Sequence, residues 1–208
     1  MAESTGLIVP LGEYVLRTVC LQIAKWERQG HNGFRVAVNV SPKQFDTNIV
    51  ELVQDVLAET GVSPTCLTME ITEGMAMGNV DRHAQLLGVL RDMGIEISMD
   101  DFGTGYSSLS YLQKFPINTL KIDQSFVREI VDRESDQQIA KTIIGMGRSL
   151  NLKTLAEGVE DVEQLEILTS MGCELIQGFY FSQPLCSEEM TTYLQLGNPR
   201  YSISNSKA

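Results

Sequence analysis

Six short apolar or β-branched segments alternate strictly with amphipathic helical stretches, and a polar residue closes each of the six. The candidate strands are residues 34–40, 67–72, 95–99, 119–122, 153–156 and 174–176, each bounded by polar or Gly-containing turns. The spacing predicts helices over residues 8 to about 28, 49–59, 80–93, 137–150 and 162–171. Gly30, Gly61, Gly94 and Gly172 stand just past four of these helices, where a left-handed residue commonly ends a helix. Strict alternation of this kind implies parallel strands joined by right-handed crossovers, so the choice lies between an open doubly wound sheet and a barrel. No GxGxxG follows the first strand to favour a dinucleotide-binding sheet. A full barrel takes about 250 residues, or roughly 30 per unit, with polar residues at the C-terminal strand ends. The expectation is therefore an α/β chain forming a (β/α) barrel.

The strand-closing residues are Asn39, Glu70, Asp100 with Asp101, Lys121, Glu157 and Gln177, at separations of 31, 30, 20, 36 and 20 residues counted from the nearer aspartate. Asn39, Glu70, Asp100, Asp101 and Glu157 are oxygen donors of the kind that hold a hard divalent cation, Mg²⁺ or Mn²⁺. With two histidines, His31 and His83, and no CxxC pair, zinc is disfavoured. Singly, each carboxylate suits a helix cap or a solvated surface. Their joint placement at successive strand ends favours a cation site, since neighbouring carboxylates without a cation repel one another. Adjacent aspartates face opposite ways by the pleat, yet a turn after Asp100 would bring both to one rim. Lys121 is placed either to meet a phosphoryl oxygen or attacking water, or to pair with one of the acids. The loop at residues 101–108, DFGTGYSS, holds Gly103 and Gly105, whose backbone freedom lets amides line an anion or steady a metal ligand. Its DFG string is shared with protein kinases, but no glycine-rich phosphate loop or HRD-like segment accompanies it.

Charge narrows the partners. With 27 acidic against 16 basic residues, the net charge of −11 disfavours a DNA or RNA polymer and anionic lipid, so an anionic substrate must be received locally by bound cations. The 208 residues suit one domain. No apolar run approaches the roughly 18 residues of a membrane span, and the N-terminus lacks a basic segment ahead of its apolar stretch. Four widely spaced cysteines read as reduced thiols, which points to the cytoplasm. Residues 197–208, rich in Ser, Asn and Lys, read as a disordered tail after a domain of residues 1–196.

Taken together, NVSPKQF (39–45), EITEG (70–74), MDDFGTGYSSLSYL (99–112), LKIDQSFV (120–127), AEGVE (156–160) and QGFYFSQPL (177–185) resemble the EAL domain, the family of cyclic di-GMP phosphodiesterases. The resemblance implies a modified TIM-type barrel, a hydrolase of bacterial signalling, and two-metal hydrolysis of cyclic di-GMP to linear pGpG with Mg²⁺ or Mn²⁺. By position, it makes Asn39, Glu70 and Asp100 metal ligands, with Asp100 between two ions, and gives Asp101 and Glu157 to the second ion or its water. It makes Lys121 the residue that positions or activates the nucleophilic water and Gln177 a polar residue of the site. Glu73 becomes the acid that steadies the DFGTGYSS loop. The family carries two further strands upstream, one bearing the Glu-Ala-Leu signature, which this sequence does not show. About six of eight strands are then expected, with an open barrel edge that self-associates or pairs with another segment. Weak or absent hydrolysis is expected in turn; the runner-up is a non-catalytic remnant that binds cyclic di-GMP or a protein.

Overall fold

A computed structural model describes residues 2–77, 79–104 and 112–196. The helices are α1 (Ala2–Thr5), α2 (Ile8–Arg28), α3 (Pro42–Phe45), α4 (Ile49–Thr60), α5 (Val80–Asp92), α6 (Gln124–Val127), α7 (Glu134–Ser149), α8 (Val162–Met171) and α9 (Ser187–Gln195). Six strands, β1 (Val36–Val40), β2 (Leu67–Thr72), β3 (Glu96–Phe102), β4 (Thr119–Ile122), β5 (Lys153–Ala156) and β6 (Leu175–Ile176), form one parallel sheet. Their spatial order is the chain order, β1-β2-β3-β4-β5-β6. Each crossover therefore steps one strand in the same direction, and a constant right-handed step puts every connecting helix on one face. A doubly wound sheet would reverse direction part-way. This sheet does not reverse, so it has the single winding of a barrel.

The register separates two faces. Val38, Met69, Ile97 and Leu120 are adjacent across β1 to β4 or in step with one another, and with Val40, Ile71, Met99, Ile122 and Ala156 they are buried on the helix-covered face. α2 packs on β1, α5 on β3, and α7 on β4 and β5. Each such fully buried Ile, Leu or Met contributes about 1.5–3 kcal/mol relative to exposure. The alternate positions, Asn39, Glu70, Ser98, Asp100, Thr119 and Lys121, look the other way, toward what would be the barrel interior. A parallel sheet covered by helices on both sides would be apolar at those positions too.

Local chemistry sets the ends of the elements. Gly61 (φ 73°) and Gly172 (φ 88°) close α4 and α8 in the left-handed conformation. Asp161 and Gln164 form a reciprocal capping box at the start of α8. Trp26 Nε1 of α2 donates to Thr191 Oγ1 of α9 at 2.8 Å, joining the helix that precedes β1 to the one that follows β6. The sheet is thus curved far enough for the helices flanking its two edge strands to meet.

The structure departs from the sequence expectations at several points. β1 starts at Val36, because Phe34 instead stands edge-on to Trp26 with ring centroids 5.7 Å apart. β3 runs on through both aspartates to Phe102. α7 begins three residues earlier than residue 137, at Glu134. The short helices α3 and α6 and the whole of α9 had no counterpart in the sequence reading. The expected tail at residues 197–208 lies outside the described residues. Among the described residues, no helix is long and apolar enough to cross a membrane.

Candidate active site

Four consecutive strands deliver the charged residues. Lys121 of β4 is 2% exposed, and its Nζ lies 2.8 Å from Glu70 Oε1 of β2, 3.1 Å from Asp100 Oδ1 of β3 and 2.6 Å from Glu157 Oε1. Glu157 follows β5 directly and is anchored there by its N–H, which donates to the Ile122 carbonyl at 3.2 Å. The sequence left open whether Lys121 pairs with one acid or faces substrate; it pairs with three. Burial pulls the Lys121 ammonium down, but its hydrogen bonds to Glu157 and Glu70 outweigh that and raise it above its ordinary value of 10.5, so it stays charged. Burial raises Glu157 above 4.5 despite the same lysine, and the nearby Asp100 and Glu70 charges push the same way. One cation divided among three carboxylates leaves the cluster short of positive charge.

Asp101 reaches the same rim through a break in the strand. The pairing of β3 with β4 shifts between Met99 and Phe102, and Asp101 adopts φ 55°. Without this bulge, the pleat would turn Asp101 toward the helices; with it, Phe102 takes the buried position at 3% exposure. The Asp101 N–H donates to Asp100 Oδ1 at 3.0 Å, and the Thr104 hydroxyl donates to the Asp101 carbonyl at 2.8 Å. Burial, then Asp100 and Asp123, raise Asp101 above its ordinary 3.8. Gly103 follows at φ 95°, where an added Cβ would approach Phe126 Cε2 at 3.3 Å. Gly105 lies outside the described residues.

Asp123 was not singled out from the sequence. Its Oδ1 accepts from the Ser125 N–H at 2.9 Å, capping α6, and its carboxylate is near enough to help raise Asp101. Two residues beyond Lys121, it lies on the same side of the pleat, a signal present in LKID all along.

Two predicted residues stand to either side of this cluster. Asn39 of β1 pairs in register with Glu70, is exposed, and with Thr72, Leu11 and Val15 lines a cavity of about 460 Å³. Gln177, just past β6, is held through its backbone, its N–H donating to the Ala156 carbonyl at 2.8 Å and its carbonyl accepting from Val159 N–H at 3.1 Å. Its exposed side chain lines a cavity of about 800 Å³ together with Phe179 and Phe181. Glu73 opens the 3-10 turn Glu73–Met77 that follows β2, and both its carboxylate oxygens are buried with no hydrogen-bond partner among the described residues.

Among the described residues, no three His, Cys, Asp or Glu side chains are already grouped to hold a metal ion. Glu70, Asp100 and Glu157 are instead drawn to the ammonium, which shows that their oxygens reach a common point within 3.1 Å. An all-oxygen donor set with surplus negative charge fits a hard divalent cation such as Mg²⁺ or Mn²⁺.

Fold and site together define a singly wound parallel β/α protein of the barrel class, with an acidic, cation-receptive rim at the carboxyl ends of its strands. The EAL domain family model matches residues 1–184, and the chain belongs to the EAL domain family. It is 44% identical over 191 residues to the bifunctional diguanylate cyclase/cyclic di-GMP phosphodiesterase MucR of Pseudomonas aeruginosa, covering 91% of this chain and 28% of that protein. It is similar to the solved PaMucR phosphodiesterase in complex with c-di-GMP, with a TM-score of 0.86 over 91% of this chain and 77% of that one, at 44% identity. It is also similar to the manganese and c-di-GMP complex of Klebsiella pneumoniae BlrP1, with a TM-score of 0.77 at 29% identity over 86% of this chain and 45% of that one. The chain spans 24 to 29% of the length of three curated relatives it matches.

Proposed function

We propose that this chain hydrolyses cyclic di-GMP to linear pGpG, with residues 1–196 as the EAL-type unit. The observation that carries the reading is the convergence of Glu70, Asp100 and Glu157 on Lys121, with Asp101 and Asp123 beside them. Asn39, Glu70 and Asp100 would hold one divalent ion, and Asp100, Asp101 and Glu157 a second. The chemistry those Mg²⁺ or Mn²⁺ ions supply when bound is electrophilic polarisation of the phosphodiester and of the attacking water.

The chain's own residues do the rest. With Glu70 and Asp100 turned to the ions they would hold, the Lys121 ammonium, charged at neutral pH, has an N–H free to donate a hydrogen bond that orients the attacking water toward phosphorus. Glu157, raised by burial, accepts the proton that the water gives up. The new bond joins the water oxygen to phosphorus, the bond from phosphorus to the 3′ oxygen breaks, and that oxygen takes up a proton from solvent to become the 3′-hydroxyl of pGpG. Gln177 and its neighbouring aromatics bind the nucleotide from the cavity beside β6, while Glu73, Gly103 and Gly105 steady the loop that follows the aspartates of β3. The reaction takes place in the cytoplasm in this reading, where the free thiols of Cys20, Cys66, Cys173 and Cys186 persist.

The test is incubation of the purified chain with cyclic di-GMP and Mn²⁺ or Mg²⁺. The expected result is pGpG that disappears in chelator and in Glu70→Ala or Asp100→Ala. Saturable binding of cyclic di-GMP by the parent chain with no product would overturn hydrolysis in favour of a non-catalytic binder.

The open sheet edge belongs to the same reading. Among the described residues β1 pairs only with β2, leaving one flank of backbone groups beside the apolar side chains Leu11 and Val15 of α2. This flank takes a partner strand, from a second copy or a separate segment, and sedimentation should show association. A monomer at low concentration with one sharp cooperative unfolding transition would contradict it.

A further inference from the structure

α5 carries a buried imidazole that the reaction does not use. His83 is 3% exposed, and its Nδ1 lies 3.2 Å from the carbonyl oxygen of Met75. A carbonyl only accepts, so Nδ1 carries the hydrogen and the tautomer is assigned by its partner. Nε2 is buried and has no hydrogen-bond partner among the described residues. The ring also stands edge-on to Phe45 of α3, with centroids 5.8 Å apart and planes at 62°.

These contacts tie together the chain segments after two neighbouring strands. Met75, fully buried, is the middle residue of the turn Glu73–Met77, which begins immediately after β2, the strand of Glu70. Phe45 lies in the helix that follows β1, the strand of Asn39. An apolar ring or a leucine would fill the same space without burying an unpartnered nitrogen, which is unfavourable. What the imidazole adds is one directed N–H to one main-chain carbonyl.

We infer that His83 is a positioning residue, whose Nδ1–H holds the Met75 carbonyl and thereby fixes the turn that Glu73 opens directly after β2, the strand of Glu70. For its kinetic consequence alone, this rests on the hydrolysis proposed above. Removing the bond while keeping the packing frees the turn and leaves the rest of the fold intact.

The test compares His83→Leu and His83→Phe, which fill the space without a donor, with His83→Asn, which returns a donor close to the Nδ1 position. The first readout is hydrogen exchange of the peptide spanning residues 70–79. Loss of one hydrogen bond predicts about fivefold faster exchange there in the apolar variants, with the rest of α5 unchanged and the Asn variant near the parent. The second readout is turnover, with kcat lowered and KM little changed in the apolar variants, and kcat restored in the Asn variant. If exchange across residues 70–79 is the same in all four proteins, or rises equally throughout α5 and β2, the inference is wrong. A parent chain without turnover would sink the hydrolysis reading instead, and exchange would then decide the role of His83 by itself.

Discussion

Replacing Lys121 by methionine removes the ammonium that three carboxylates share while nearly conserving the volume of the side chain. In the parent, Glu70, Asp100 and Glu157 lie 2.6–3.1 Å from Nζ, with side chains only 10, 14 and 20% exposed. At an effective dielectric of about 20, each contact near 3 Å is worth about 5 kcal/mol of gross attraction, partly offset by desolvation and by repulsion among the acids. The net effect of deleting one member of a buried charge cluster is about 3–5 kcal/mol of lost stability. For a domain of this size, each kcal/mol moves Tm by about 2–4 °C, so Lys121→Met should melt about 6–20 °C lower in chelator. The loss should shrink at acidic pH, where the orphaned carboxylates take up protons. It should also shrink on adding Mn²⁺, which replaces the missing positive charge. Thermal denaturation followed by circular dichroism, with and without chelator, measures all three effects. A variant that melts within about 2 °C of the parent in chelator, below the smallest shift worked out above, would refute the view that Lys121 neutralises the cluster.

Two further outcomes follow from the same charge balance. Asp101→Asn removes one of the crowded carboxylates, and asparagine tolerates the φ of 55° found there. It should stabilise the metal-free chain by about 0.5–1 kcal/mol, read from a higher urea midpoint at unchanged slope, while weakening Mn²⁺ binding; a lower midpoint would count against like-charge crowding. For pH, burial raises Glu157 above 4.5 and Asp101 above 3.8, so the folded chain holds these protons more tightly than the unfolded chain. Stability from these groups is therefore present at acidic pH and falls as pH rises from 3.8–4.5 through their raised folded values. Glu157→Gln should accordingly gain stability relative to the parent as pH rises through that window in chelator, and an equal difference at every pH would contradict the shift.

How much of this was legible in the sequence depends on the range of the interactions. β2, β4 and β5 and the helices α2 and α8 fall where periodicity put them, because alternation and glycine stops are local signals. β3 was cut short at residue 99, since two aspartates read as a turn; only pairing with β4 shows that the strand passes through them on a bulge. α3 was announced by Ser41 and Gln44, a capping pattern that went unread, and its box is present. α9 has no fully buried residue, and its tie to Trp26 spans 165 positions; its local mark, Glu189 accepting from the Cys186 N–H at 3.0 Å, went unread because a cysteine stands where a Ser, Thr, Asp or Asn cap is usual. The carboxylates at strand ends were legible because strand polarity places them at one rim. That Lys121 gathers three of them was not, because this depends on register across β2 to β5. Asp123 was missed although the i, i+2 rule applied to Lys121 would have found it.

Mn²⁺ binding, followed by electron paramagnetic resonance as the ion is titrated into metal-free chain, most directly tests whether these inner-face carboxylates form a cation site. Saturable binding is expected, falling away in Asp100→Ala and strengthening as pH rises from acidic to neutral. Mn²⁺ that stays free in the presence of the parent chain, or that binds Asp100→Ala equally well, would contradict the account.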